Sequence, residues 1–193
     1  MFTGIVSAVG TVVLAGPHRI GINSTSTTRR LRIGSSVAVN GCCLTVVEKR
    51  GGAFFADIVP ETLRRTNLGR AAKGSRVNLE LPLSAHGLLD GHLVQGHVDA
   101  KATVRKVTAA TSGREVEIAL PAALRRFVVE KGSIAVDGMS LTVASVDHRA
   151  RAFLVALIPH TLAVTVAGEY KKGSVVNLEA DVVARYVARN LRR

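Results

Sequence analysis

Short apolar runs, separated by turns that contain glycine and proline, predict a protein built mainly from β-strands. The first run, residues 3–14, is rich in Val and Ile and is followed by Gly16 and Pro17. Residues 19–33 are weakly patterned and predict a loop or an edge strand. Further strands are predicted over residues 37–39, 44–47, 53–59, 75–81, 94–107, 115–120, 133–136, 141–146, 152–158 and 174–178. Many short strands of this kind indicate a small antiparallel barrel or a sandwich.

Three segments carry helical signals instead. Pro60 followed by Glu61 favours the first turn of a short helix that runs to Leu68. Within residues 121–130, one helical face is shared by Leu124, Phe127 and Val128. After Asp181 the pattern predicts a helix with an apolar stripe of Val182, Val183, Tyr186, Val187 and Leu191, and with Arg185, Arg189 and Arg192 facing away. The stripe fits packing on its own domain or on another subunit, and both alternatives stay open.

The second half of the chain repeats the first. The motif at residues 40–46 reads Asn-Gly-Cys-Cys-Leu-Thr-Val, and it returns at residues 137–143 as Asp-Gly-Met-Ser-Leu-Thr-Val. In both motifs a turn dipeptide leads into a β-type run. Residues 73–80 return in the same way at 172–179. Because this period is far too long for a solenoid, we predict two similar domains, residues 1–90 and 91–180, followed by a helix within residues 181–193.

Composition narrows the classes of function. The net charge is +12, but the basic residues are dispersed and aromatic residues make up only 4% of the chain, which argues against nucleic-acid binding. No apolar run approaches the roughly 18 residues needed to span a membrane, and the N-terminus lacks a signal-peptide pattern. Cys42 and Cys43 are adjacent and predict neither a disulfide nor a zinc site. We therefore expect a cytoplasmic protein that binds neither nucleic acid nor membrane.

Equivalent positions of the two repeats carry candidate chemistry. Cys43 and Ser140 follow the two turns, and Thr45 and Thr142 lie two residues further on, so each pair faces one side of its strand. A thiol or hydroxyl beside a second hydroxyl suits hydrogen bonding to a planar polar heterocycle. The alternative is that only a small residue fits after a tight turn.

Histidines and charged residues add further candidates. His92 and His97 lie five residues apart, but nothing clearly supplies a third ligand for a metal ion. His97 is a candidate general acid or base, with a satisfied surface histidine as the alternative. Lys131 and Asp137 flank the second motif, where the first repeat has uncharged residues. A solvated lysine and an aspartate that serves the turn are the alternatives there.

Four motifs together resemble the alpha chain of riboflavin synthase, a family with two lumazine-binding repeats. They are Met1-Phe2-Thr3-Gly4-Ile5-Val6, Asn40-Gly41-Cys42-Cys43-Leu44-Thr45-Val46, Gly91-His92-Leu93-Val94-Gln95-Gly96-His97-Val98-Asp99 and Asp137-Gly138-Met139-Ser140-Leu141-Thr142-Val143. The resemblance covers the whole chain. It implies an all-β fold of two tandem six-stranded Greek-key barrels, with a C-terminal α-helix that drives formation of a homotrimer.

The resemblance also implies a reaction. Two molecules of 6,7-dimethyl-8-ribityllumazine dismutate: one gives a four-carbon unit to the other, and the products are riboflavin and 5-amino-6-(D-ribitylamino)uracil. The family's chemistry needs no cofactor and no metal. The site is expected between the N-terminal barrel of one subunit and the C-terminal barrel of its neighbour, and lumazine synthase is a candidate partner.

By resemblance, each barrel holds one substrate molecule. The N-terminal pocket is expected to use Gly4, Ile5, Val6, Cys43, Leu44, Thr45, Asp57, Ile58, Val59, Pro60, Glu61 and Thr62, with contributions from Gly96, His97 and Val98. The C-terminal pocket is expected to use Lys131, Ser140, Leu141, Thr142, Ile158, Pro159, His160, Thr161 and Leu162. Catalytic roles are expected for His97, Ser140, Cys43 and Asp137. His160 departs from the family pattern, in which Glu is usual, and this changes the polarity of the C-terminal pocket.

Two other functions remain as alternatives. A non-catalytic carrier of lumazine or flavin with the same fold typically loses ligand residues in one repeat. Here both repeats keep the Leu-Thr-Val motif, with Cys43 and Ser140 before it, which favours the enzyme. A basic barrel that binds nucleic acid predicts salt-sensitive binding of oligonucleotides, and the dispersed charge argues against it.

Overall fold

Twelve antiparallel strands form the protein, as a computed structural model that describes residues 1–191 shows. The first six strands are β1 (Ala8–Ala15), β2 (Arg19–Asn23), β3 (Ser36–Val39), β4 (Cys42–Arg50), β5 (Ala53–Asp57) and β6 (Arg76–Glu80). The last six are β7 (Ala100–Ala110), β8 (Gly113–Ala119), β9 (Ser133–Val136), β10 (Met139–Asp147), β11 (Ala152–Leu157) and β12 (Val175–Ala180). The predicted all-β fold class is confirmed.

The strands close into two barrels of the same topology. Their orders are β1-β2-β5-β4-β3-β6 and β7-β8-β11-β10-β9-β12, and in both the last strand pairs with the first. Each order contains a Greek key, in which three hairpin-connected strands are joined by a long connection to a fourth. The register shifts at equivalent places, in β1 and β4 of one barrel and in β7 and β10 of the other. Such bulges bend strands sharply, as closure of a small barrel requires.

Each barrel encloses its own apolar core. In the first barrel the fully buried side chains include Val12, Ile22, Phe54 and Leu79. In the second barrel they include Val104, Ile118, Phe153 and Leu178. Burying a side chain of this size contributes about 1.5–3 kcal/mol, so these alternating inward positions supply most of the driving force for each barrel.

The helical predictions have mixed outcomes. Two six-residue helices, α2 (Pro60–Arg65) and α3 (Pro159–Val164), begin at equivalent prolines, and a C-terminal helix, α4 (Val182–Asn190), follows the second barrel. The last two residues of the predicted helical segment 181–193, including Arg192, lie outside the described residues. Within residues 1–191, the structure contains no helix with the length and apolarity that a membrane crossing needs.

Two local predictions are wrong. Residues 19–33 form strand β2 and a helix, α1 (Thr25–Arg30), because Thr28 bonds the carbonyl of Gly52 and is buried together with Thr27, a tertiary effect that apolar periodicity cannot report. Residues 121–130 form only a 3₁₀ turn at Ala122–Leu124. Leu124 and Val128 are both buried in the second core, as their shared face predicted, and the N–H groups of Phe127 and Val128 donate to the carbonyl of Leu124, but this single turn is not continued into a regular helix.

Residues 1–7 and 92–99 do not begin strands of their own barrels, although residues 3–14 and 94–107 were predicted as strands. The two segments meet between the barrels, where Phe2 and Val94 exchange backbone hydrogen bonds of 2.7 and 3.1 Å. Phe2 and Val94 are buried there with Ala38 and Ala135. Each segment then continues towards the barrel of the other repeat.

The two turns that head the repeated motifs are pressed against each other. Asn40 and Asp137 have φ of 44° and 45°, and Gly41 and Gly138 also have positive φ, so both turns adopt the backbone that Asn-Gly and Asp-Gly favour. A Cβ on Gly41 would lie 2.6 Å from the nitrogen of Gly138, and the reciprocal distance is 2.7 Å. Only glycine therefore permits this backbone contact.

A buried polar cluster surrounds the turns and joins the barrels. The side-chain amide of Asn78 donates to the carbonyl of Asp137, and that of Asn177 donates to the carbonyl of Asn40. The side-chain oxygen of Asn177 in turn accepts from the Asn67 N–H at 2.6 Å. Strands β6 and β12 thus each satisfy polar groups of the opposite repeat, which makes the interface specific as well as apolar.

Replacing Asn177 by Ala is expected to lower the free energy of unfolding by about 2–4 kcal/mol, because buried polar partners are left unsatisfied. The measurement is urea unfolding at a fixed protein concentration. Asn23, at the exposed end of β2, provides the matched control Asn23→Ala, which is expected to change stability by less than about 0.5 kcal/mol. Equal effects of the two substitutions would contradict the role of the cluster.

Asp137 makes the contribution of the polar cluster to stability depend on pH. Burial raises the pKa of this carboxyl from its ordinary 3.8 to about 7, although hydrogen bonds from Asn177, Tyr170 and Asn67 oppose the shift. The folded protein therefore holds a proton that the unfolded chain releases. The resulting stability is fully present below about pH 4 and is lost as the pH rises through 7.

Asp137→Asn installs the residue that the first repeat carries in Asn40 and should remove this dependence. Between pH 5 and pH 8 the wild type is expected to lose about 2–4 kcal/mol of stability relative to the variant, as urea unfolding at the two pH values would measure. Asp90 is exposed, so Asp90→Asn serves as the control that follows the wild type. Parallel pH profiles of the wild type and Asp137→Asn would contradict the assignment.

Candidate active site

A small cavity of about 130 Å³ lies at the mouth of the second barrel. Strand β10 supplies Ser140 to it, and helix α3 supplies His160 and Thr161. The remaining lining residues are mostly apolar and come from the N-terminal segment, β10 and the end of α3: Gly4, Ile5, Val6, Met139, Leu141, Val164 and Thr165. Apolar walls with a few convergent polar groups are typical of sites for planar small molecules.

The expectation that residues 4–6 belong to the N-terminal pocket is wrong. Ser140 donates its backbone N–H to the carbonyl of Gly4 at 2.7 Å, and Val6 packs against the core of the second barrel. The sequence repeat could not show this, because residues 3–6 align with residues 95–98 and both stretches head their own repeats. Backbone pairing between the repeats exchanges the two segments.

The segment from the second repeat makes the mirror contact in the first barrel. Cys43 donates its backbone N–H to the carbonyl of Gly96 at 2.9 Å, and Val98 packs against the core of the first barrel. Gly96, His97 and Val98 therefore lie beside Cys43, and His97 is exposed. Each mouth combines one strand of its own barrel with the segment that heads the other repeat. These two leading segments are residues 1–7 and 92–99.

Two buried glutamates hold the exchanged segments in place. Glu80, at the end of β6, accepts the N–H groups of Thr3 and Gly4 at 2.7 and 3.0 Å. Glu179, at the end of β12, accepts three N–H groups, those of Gln95, Gly96 and His97, at 2.7–2.9 Å. Burial raises the pKa of both carboxyls, although the same hydrogen bonds favour their ionised forms.

The residues after the turns differ in exposure. Cys43 and Ser140 are half-buried, whereas Thr45 and Thr142 are exposed. Cys42 points into the core, and burial raises the pKa of its thiol to about 12, which leaves it inert as a nucleophile. Leu44 is buried in the first core, while Leu141 lines the cavity of the second barrel.

Helix α3 forms the second wall of the mouth of the second barrel, and α2 holds the equivalent place in the first repeat. Pro60 and Pro159 occupy the first turns, and Glu61 is engaged on the surface by Arg64 and Arg65. Among the other predicted residues before and within the helices, Ile58 is buried, Thr62 and Leu162 are partly buried, Asp57 is exposed and paired with Arg19, and Val59 and Ile158 are exposed apolar residues. His160 lines the cavity where the first repeat has Glu61.

Two predicted charged residues lie in unexpected places. Asp137 is 2% exposed, and its side-chain oxygens accept hydrogen bonds from Tyr170, Asn67 and Asn177. It belongs to the polar cluster between the barrels and does not line the described cavity, so the catalytic assignment is corrected to a structural one. Lys131 is an exposed turn residue with φ of 63° whose N–H donates to Val143.

His92 was not among the predicted site residues, yet it touches one of them. Its Nδ1 lies 2.7 Å from the Oγ of Ser140, and the residue is only 9% exposed. Burial lowers the pKa of the imidazole, against the opposing charge of Asp181, and so favours the neutral ring. The sequence signal for this contact was the motif Gly-His before the second segment, which spacing alone could not join to Ser140.

The chemical groups at this cavity can form hydrogen bonds to a ligand and hold it in one orientation. Among residues 1–191, no group of three or more His, Cys, Asp or Glu side chains could hold a metal ion. The polar groups at the cavity are the hydroxyls of Ser140, Thr161 and Thr165, the imidazole of His160 and backbone of the exchanged segment. The sequence reasoning missed Glu80 and Glu179, although both end the repeated Val-Asn-Leu-Glu motif.

Known proteins share both the repeats and the fold. The family of the lumazine binding domain matches residues 3–82 and 95–181. A riboflavin synthase of Mycobacterium tuberculosis is 46% identical over 100% of this chain and 98% of its own length. A riboflavin synthase of Actinobacillus pleuropneumoniae is 42% identical over 97% and 88%.

Among solved structures, the chain is similar to LumP complexed with 6,7-dimethyl-8-(1'-D-ribityl) lumazine, with a TM-score of 0.84 and 25% identity over 93% of this chain and 99% of that one. The two family matches coincide with the two barrels, and the relatives extend over the full chain. These findings confirm the resemblance seen in the four motifs: the chain belongs to the riboflavin synthase family.

Proposed function

We propose that the chain dismutates two molecules of 6,7-dimethyl-8-ribityllumazine into riboflavin and 5-amino-6-(D-ribitylamino)uracil. The observation that carries the proposal is a pair of equivalent barrel mouths with unequal chemistry, a thiol at Cys43 and a hydroxyl at Ser140, each completed by the leading segment of the other repeat. Two identical molecules that react in different roles require two such similar but unequal places. Residues 1–90 and 91–180 are then the two lumazine-binding repeats.

In this proposal, much of the rate acceleration comes from holding the two substrate molecules in a fixed relative position. Two bound molecules held in register react as if at an effective concentration of about 10⁵ M or more. The remaining chemistry is removal of a proton from the C7 methyl of one lumazine and activation of the other. Ser140, Cys43 and His97 are the candidates for these steps, and Asp137 supports the site from the polar cluster between the barrels.

A neighbouring subunit completes the site in this proposal. The cavity at Ser140 measures about 130 Å³, less than the roughly 300 Å³ of a small ligand pocket, so one chain encloses only part of a bicyclic ligand. Ile5 and Val164 line it and are 45% and 42% exposed. Those apolar surfaces suit the N-terminal barrel of a second subunit. Lumazine synthase stays a candidate partner that would supply the substrate.

A non-catalytic carrier is the second candidate function. The likeness to LumP complexes with lumazine and with riboflavin favours it, at TM-scores of 0.84 and 0.85. Identity to these structures is 25–26%, against 46% to a riboflavin synthase, and both repeats keep a thiol or hydroxyl before Leu-Thr-Val. We therefore favour the enzyme.

Incubation with 6,7-dimethyl-8-ribityllumazine, in the presence of a chelator and without cofactor, is expected to yield one riboflavin for every two lumazines consumed, measured by fluorescence and chromatography. Thr161→Arg fills the cavity and is expected to abolish turnover. Thr111→Arg places the same side chain on an exposed turn and should leave turnover unchanged. Tight binding of lumazine without product would contradict the enzyme and support the carrier.

Helix α4 is proposed to assemble a homotrimer. Its apolar residues Val183, Tyr186, Val187 and Leu191 are 52–80% exposed, and the side chain of Asp181 caps its N-terminus at 2.9 Å. Arg185 binds Asp99, which fixes the helix to the second barrel and leaves the apolar side uncovered within one chain. A second and a third copy of that helix would bury it.

The double change Val187→Glu and Leu191→Glu is therefore expected to convert trimers into monomers in sedimentation, because charge at a buried helix contact opposes association. Arg189→Glu adds the same side chain on the other side of the helix and should leave trimers intact. Trimers in both variants would show that α4 is not the assembly element. Turnover should fall with the trimer, since the site needs two subunits.

A further inference from the structure

Another cavity, of about 250 Å³, lies between the barrels, and within residues 1–191 its lining is separate from that of the cavity at Ser140. Residues of the 3₁₀ turn Asn67–Arg70 and of the start of β6 line it from the first repeat. Gly173 and Val175 line it from the second repeat. The proposed reaction has no step that uses this space.

The equivalent space in the second repeat is filled by Tyr170. Ala71 and Tyr170 hold the same place after two matching 3₁₀ turns, Asn67–Arg70 and Val166–Glu169. Their backbones agree closely, with φ and ψ of −65° and 140° at Ala71 and of −62° and 135° at Tyr170. The two side chains therefore leave the backbone in the same direction. The ring of Tyr170 is 8% exposed and packs in the second core, whereas the first repeat has a methyl group and a cavity.

Leu68 recovers only part of the volume that the missing ring leaves. It lines the cavity and stands where the second repeat has the smaller Ala167. About 250 Å³ nevertheless stays open. Since a cavity of about 150 Å³ is enough to hold a benzene molecule, the first repeat has room for one further aromatic ring.

The inner end of the cavity offers a hydrogen-bond donor where the second repeat has an acceptor. In the second repeat the hydroxyl of Tyr170 donates to Oδ2 of Asp137 at 2.7 Å. Asn40 holds the place of Asp137, and in both residues Oδ1 accepts an N–H of the last barrel strand at 2.7 Å. The amide nitrogen of Asn40 therefore takes the position of Oδ2. It donates to Asn67 through a long bond of 3.3 Å, and a side-chain amide has a second proton to give.

Two arginines give the outer end of the cavity a positive charge. Arg70 and Arg76 both line it and are exposed. Arg76 pairs with Glu169 at 2.5 Å, but the two side chains are 50% and 54% exposed, and exposed pairs of this kind contribute little. The second repeat has Glu169 and Val175 at the places of the two arginines, so this charge belongs to the first repeat alone. A planar guanidinium matches the geometry of a carboxylate.

We propose that this cavity binds a small aromatic carboxylate, with the ring in the space that Tyr170 fills in the second repeat. The carboxylate lies on Arg70 and Arg76. A hydroxyl group on the opposite side of the ring accepts the amide proton of Asn40. The volume suits one ring and not the fused rings and ribityl chain of lumazine, so the inference stands apart from the proposed function.

The probe for this site is 4-hydroxybenzoate, followed in protein with ¹³C-labelled leucine and valine methyl groups. It is expected to shift the methyl resonances of Leu68 and Val77, which both line the cavity, with a Kd on the order of 1 mM. Phenol, which lacks the carboxylate, and acetate, which lacks the ring, are expected to bind at least about tenfold more weakly. Equal binding of phenol and 4-hydroxybenzoate, or shifts that spare both residues, would overturn the proposal.

Two substitutions test the ring space and the charge separately. Ala71→Tyr installs the side chain of the second repeat and is expected to abolish binding, whereas Ala110→Tyr, at the exposed end of β7, should keep the wild-type Kd. Arg70→Ala changes only an exposed side chain and is expected to weaken binding about tenfold. Binding that survives Ala71→Tyr in a variant shown by urea unfolding to be folded, or an unchanged Kd in Arg70→Ala, would refute the site. These readouts do not need riboflavin formation, so they decide the matter whether or not the chain is the proposed enzyme.

Discussion

Backbone contact between two glycine turns determines how the barrels meet. Gly41 and Gly138 approach so closely that neither tolerates a Cβ, and the polar groups around them are satisfied across the interface by Asn78 and Asn177. Because these bonds are reciprocal, they fix one relative orientation of the repeats. The leading segments can then contact the opposite barrels, and each of them forms part of the mouth of the barrel that it contacts.

Buried carboxylates hold the leading segments at the two barrel mouths. Glu80 and Glu179 each accept backbone N–H groups of a leading segment, and an ionised carboxylate that receives several such bonds is a strong anchor. Burial raises the pKa values of both carboxyls, whereas the hydrogen bonds favour their ionised forms. The anchored segments thereby present fixed backbone at Gly4, beside Ser140, and at Gly96, beside Cys43.

Much of the fold followed from the sequence, because strand alternation and the repeated turns are local signals. The strand at residues 133–136 and the helix after Asp181 lie where the pattern predicted them. The exchange of residues 4–6 could not be predicted, since a repeat shows which residues correspond and not which barrel they enter. Asp137 was misassigned for a related reason: its partners Tyr170 and Asn177 come from distant parts of the chain and become its neighbours only after barrel closure.

Duplication alone would give two equal pockets, and a dismutation needs unequal ones. The framework residues are paired between the repeats, as Gly41 with Gly138 and Glu80 with Glu179, so equivalent backbone contacts support both mouths. Residues at equivalent positions near the mouths have diverged, as Cys43 against Ser140 and Glu61 against His160. Divergence at exposed or half-buried positions costs little stability, whereas the buried framework tolerates few changes. A duplicated barrel can therefore acquire two chemical roles while it keeps the spacing that brings two substrates together.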